Sequence, residues 1–139
     1  MSRIGVRLPA AFESVGEFLA DVRSLESARA DLLLLGEGEL DHELLLAAMA
    51  AATVRVRLHH PAPGETLRRL AGGRLTEQTG GWREVPFPAD RVAWKATLAR
   101  ADEDSVEGVI VEMDPRLLDL LRNPDIDDDR ATDLQLAQG

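Results

Sequence analysis

The chain has 139 residues and a mass of 15.2 kDa, with 45% hydrophobic residues, enough for one domain with a buried core and too many for wholesale disorder. It has no cysteine, which excludes disulfides, Cys-ligated zinc, iron–sulfur clusters and thiol nucleophiles. Its 25 acidic against 16 basic residues leave a net charge of −9, the opposite of a nucleic-acid footprint. No apolar run approaches the roughly 20 residues that span a bilayer. Met-Ser-Arg-Ile-Gly at the start lacks a leader's apolar region, so a soluble, cytoplasmic protein is expected.

Strand and helix signals alternate along the chain. Ile4 to Leu8 is a short apolar run stopped by Pro9, a first strand. Ser14 and Glu17 have capping-box spacing, and Val15, Phe18, Leu19, Val22 and Leu25 recur at helical intervals, predicting a helix over 14–29. Asp31 to Leu35 is uniformly apolar after its first residue, the pattern of a strand buried on both faces of a parallel sheet. Asp41 caps an alanine-rich helix over 42–53. Val54 to Leu58 alternates with period two and reads as a third strand ending at His59-His60-Pro61.

A short helix over 65–70 stops at Gly72-Gly73, a left-handed C-cap. Leu75 to Thr79 is a weak fourth strand, followed by a Gly80-Gly81-Trp82 loop. Ala89 to Ala101 is helical, with Asp90 as cap and an apolar stripe of Val92, Ala96 and Ala99. Val106 to Met113 forms the fifth strand, and Asp114-Pro115 opens a last helix to about Arg122. Residues 1–122 thus read as a single α/β domain, and 123–139 as an acidic, flexible tail. About five β–α units in alternation predict a mainly parallel sheet. Two architectures satisfy that order: a partial, truncated TIM barrel, or a flavodoxin-like open doubly wound sheet.

Leu67-Arg68-Arg69-Leu70-Ala71-Gly72-Gly73-Arg74-Leu75 followed by Gly80-Gly81-Trp82 resembles a segment of the luciferase-like monooxygenases. Arg3 to Pro9 resembles that family's first strand, and the pattern from Asp31 to Leu58 its second strand, alanine-rich helix and third strand. The resemblance covers roughly residues 3–85. It implies a (βα)8 barrel using flavin mononucleotide (FMN) or the deazaflavin F420. A barrel takes about 200–250 residues, so this chain would be a truncated member.

In parallel α/β architecture, function gathers at the C-terminal ends of the strands. The residues read onto that rim are Pro9, Glu37, Glu39, His59, His60, Gly80, Gly81, Trp82, Glu112 and Asp114. His59 and His60 are the candidate proton-handling residues, because imidazole titrates near neutrality. Gly80, Gly81, Trp82 and Glu37 are the candidate cofactor contacts, the indole stacking on a flavin ring. Neither G-x-G-x-x-G nor a P-loop occurs. Glu37, Glu39 and His42 lack a recognised metal-ligand spacing, and Asp125, Asp127 and Asp129 fail the EF-hand pattern at Arg130 and Leu136. The open edges and inner face of a partial barrel predict a homo-oligomer, a dimer in the simplest case. Two functions follow: a flavin- or F420-dependent oxidoreductase or monooxygenase, or a non-catalytic module that kept the scaffold and binds a small molecule or assembles.

Overall fold

The computed structural model describes residues 2–124. The acidic stretch with Asp125, Asp127 and Asp129, and most of the expected tail, lie outside the described residues. Eleven elements follow in order: β1 (Arg3–Leu8), α1 (Val15–Ser27), β2 (Leu32–Leu35), α2 (His42–Ala52), β3 (Arg57–His59), α3 (Glu65–Ala71), β4 (Leu75–Thr76), β5 (Trp82–Glu84), α4 (Arg91–Glu103), β6 (Gly108–Glu112) and α5 (Leu117–Arg122).

The helices begin where their caps dictate. Ser14 Oγ accepts the Glu17 N–H, Asp41 Oδ1 the Leu44 N–H and Asp90 Oδ1 the Ala93 N–H, each satisfying an amide that no preceding turn can. Gly72, at φ 63°, closes α3 in the left-handed conformation.

The six strands form one sheet in the order β4-β3-β2-β1-β6-β5, and every adjacent pair is parallel. The edge strands β4 and β5 are consecutive in sequence, joined only by residues 77–81. Six steps of extended chain reach about 20 Å, whereas the edges of a flat six-stranded sheet stand about 24 Å apart. A turn closed by Trp82 N–H on Thr79 O shortens that reach further. The sheet therefore curls into a half-barrel. All five helices pack on its convex face, in one core running from Val6, Leu8, Phe18 and Val22 through Leu46, Met49, Leu58 and Leu67 to Trp94, Val111, Leu117 and Leu120. Helices on one face, with this strand order, are not the flavodoxin-like arrangement.

The concave face carries its own apolar layer. Leu32, Leu34 and Ile110 are buried there, with the Trp82 ring packed on them. Leu33 points the other way into the helix layer, so β2 is buried on both faces as its leucine run predicts. A Cβ on Gly108 would lie 2.5 Å from the Trp82 ring and 2.6 Å from Arg3 O, and one on Gly5 would lie 3.3 Å from the same ring. Side chains missing at these two positions make room for the indole. The inner face expected to need a partner's cover is closed by the chain's own tryptophan.

Three local expectations are corrected. Trp82–Glu84 is a strand, not the end of a loop, which makes six strands where five were expected. Val54 to Val56 lies outside the sheet despite its alternation. The Glu26 carboxylate, from the end of α1, accepts the amides of Val54, Arg55 and Val56 and keeps them from a neighbouring strand, and Val54 is 86% exposed. Burial alone would push the Glu26 carboxyl up, but the three N–H donors hold it below its ordinary value. Finally, α4 buries Arg91, Trp94 and Ala101, while Val92 is exposed. Arg91 is drawn inward by Asp119, at 2.5 Å, and by the Asn123 carbonyl, at 2.8 Å.

Candidate functional site

Strand alternation sorts β1 cleanly: Val6 and Leu8 enter the helix layer, while Gly5 and Arg7 face the concavity. Register sets Arg7 beside Leu34 on one side and Glu112 on the other. Arg7 Nη1 donates to Glu112 Oε1 at 2.9 Å, and Nη2 donates to Glu84 on β5. Desolvation pulls the guanidinium's pKa down, but the bonds to Glu84 and Glu112 outweigh it and raise it. One cation thus ties three strands together at their C-terminal ends. Beside it opens a cleft of about 770 Å³, lined by Arg7, Pro9, Leu35, Gly36, Glu37, Glu112 and Met113.

Pro9, Glu37 and Glu112 are brought together here as the rim reading has them. Glu37 is exposed, and its carbonyl accepts the Ala10 N–H. His59 and His60 do not line this cleft. His59 Nδ1 lies 2.9 Å from Thr76 O, and since a carbonyl only accepts, Nδ1 carries the hydrogen and Nε2 is left as acceptor. His60 Nδ1 accepts the Ala62 N–H at 3.0 Å, which puts its neutral-form hydrogen on Nε2. The adjacent imidazoles are thus fixed in opposite tautomers by backbone groups. Asp114 is tied to Arg116, whose side chain and backbone N–H bonds hold its carboxyl below the ordinary value.

Gly80, Gly81 and Trp82 lie at the other end. Gly81 O accepts the Glu107 N–H, and Trp82 pairs with Gly108, the first residue of β6. In a parallel sheet, that is the N-terminal side. The chain leaves the top of β4, reverses over 77–81 and re-enters at the bottom of β5, so these residues cannot share a rim with His59 or Glu37. A second cavity of about 290 Å³ opens there, lined by Arg3, Asp31, Arg57, Thr76, Trp82 and Glu107.

Among the described residues, no group of three or more His, Asp or Glu could hold a metal ion. Nor do the C-terminal cleft's residues fit a flavin phosphate. Its one cation, Arg7, is spent on two glutamates, and Glu37 adds further negative charge. Sequence reasoning missed Arg7, Glu84, Arg3 and Arg57 as functional candidates. The signal was present: arginines recur at positions 3, 7 and 57 within short apolar strands, which marks a polar concave face. No described helix is long and apolar enough to cross a membrane. No family model matches the sequence, and neither a curated protein nor a solved structure matches it.

Proposed function

We propose that this protein is a non-catalytic, small-ligand-binding module built on a half-barrel of luciferase-like descent. The observation carrying this reading is the Arg7–Glu84–Glu112 cluster at the strand ends, where the one cation lining the cleft is bonded to two carboxylates and is not left for a phosphate. The backbone bonds that fix His59 and His60 point the same way. The experiment is calorimetric titration of the purified chain with FMN and F420. The expected result is no saturable binding of either; micromolar binding lost in Arg7→Ala would replace this reading with the oxidoreductase.

That second reading, a flavin- or F420-dependent oxidoreductase or monooxygenase, is favoured by one observation. The cleft of about 770 Å³ lies at the C-terminal strand ends and is within the size range of cofactor pockets. A homodimer is proposed through the edge strands β4 and β5, since the inner face needs no partner; light scattering showing only a monomer would remove it.

A further inference from the structure

The cavity at the N-terminal mouth combines features that no structural role explains together. Its floor is the Trp82 indole, held against Leu32, Leu34 and Ile110. On one wall, Arg57 donates through Nε to Thr76 Oγ1 at 2.9 Å and through Nη2 to Leu75 O at 3.1 Å. Those bonds fix the plane of the guanidinium, and neither uses Nη1. The Arg3 guanidinium, which also lines the cavity, has no hydrogen bond or ion pair among the described residues. Two carboxylates complete the lining. Asp31 Oδ2 accepts the Ile4 N–H at 2.9 Å, which anchors the side chain and leaves Oδ1 for another donor. Glu107 stands beside Gly81 at the margin.

The set is thus two guanidiniums, two carboxylates and an aromatic floor in about 290 Å³. A flavin is too large for it, and a simple anion or cation would meet as many like charges as opposite ones. A small zwitterion meets both signs. We propose that this mouth binds a free α-amino acid with an apolar side chain: its carboxylate between Arg3 and Arg57, its ammonium toward Asp31 and Glu107, its side chain on Trp82. This site is at the opposite end of the sheet from the cleft discussed above, so the cofactor titration and the test below succeed or fail separately.

The test is calorimetric titration of the full chain with L-phenylalanine and L-leucine, beside phenylalaninamide, which lacks the carboxylate, and 3-phenylpropionate, which lacks the ammonium. Saturable binding of an amino acid is expected, with both analogues about tenfold weaker or worse, the effect of removing one charge-assisted contact. Arg57→Gln should weaken binding similarly. Because that change also removes bonds to β4, Arg3→Gln and Glu107→Gln, at exposed positions with no bonds to lose, serve as the decisive variants, each weakening the amino acid about tenfold. No saturable heat up to about 10 mM, analogues that bind as well as the amino acid, or affinity unchanged in Arg3→Gln and Glu107→Gln would each overturn the proposal.

Discussion

The two ends of the curled sheet hold similar side chains in opposite states. At the C-terminal end, Arg7 is bonded to Glu84 and Glu112. At the N-terminal mouth, Arg3 has no partner among the described residues, and Arg57 leans on a hydroxyl and a carbonyl. Register explains the difference. Arg7 pairs directly with Glu112, whereas the position opposite Arg3 is Gly108, which has no side chain to offer because the Trp82 ring occupies the space. The residue that seals the apolar layer therefore also leaves Arg3 without a charged neighbour across from it.

The largest way to break this contrast is to evict the tryptophan. Gly108→Val drives side-chain atoms into the Trp82 ring and the Arg3 carbonyl, with no flexible neighbour to yield. A loss of about 3 kcal/mol or more is expected in urea denaturation, with both ends disturbed together. Next is the Glu26 clip. Glu26→Ala leaves three backbone N–H groups at 54–56 without their acceptor and should cost about 2 kcal/mol. Its pH dependence has a definite sign. The folded carboxyl lies below its ordinary value near 4.5, so its contribution is present above that pH and fades as pH falls through the lower folded value. Denaturation series from pH 7 to about 3 should show the wild type losing this increment on acidification and Glu26→Ala lacking it.

The smallest effect belongs to the charged end. Arg7→Ala should cost about 1 kcal/mol at low salt, since both glutamates are more than half exposed and the pairs are screened by solvent. The difference from wild type should shrink toward zero in about 1 M NaCl, where the Debye length falls to about 3 Å. A salt-independent penalty would mean that Arg7 acts by packing, and the contrast between the ends would then not be electrostatic.

What the sequence discloses is what is local. Ser14, Asp41, Asp90 and Gly72 mark helix ends because capping involves residues within one turn. The leucine run of β2 announces burial on both faces for the same reason. What it hides depends on distant partners. Val54-Arg55-Val56 has a strand's alternation, but Glu26, 28 to 30 residues earlier, takes its amides. Arg91 is buried because Asp119 lies 28 residues on. Strand β5 has three residues after a Gly-Gly pair, too few to show a period, and missing it moved Gly80, Gly81 and Trp82 to the wrong end of the sheet. The rim at Glu37 and Glu112 was legible from strand ends alone; the mouth, made of one residue in or beside each of the six strands, was not.

The pairing of β1 with β6 has a consequence for how the chain is made. Strand β1 emerges from the ribosome before both of its neighbours, and β2 soon covers one of its sides, but the partner for its other side begins at Gly108, about 100 residues after Leu8. At about 5–20 residues per second, that side stays open for roughly 5–20 s. An open strand edge invites pairing with other nascent chains. Arg3 and Arg7, charged side chains on that strand, discourage such pairing until β6 arrives. The same two arginines that later face the two ends of the concavity protect β1 while it waits for β6.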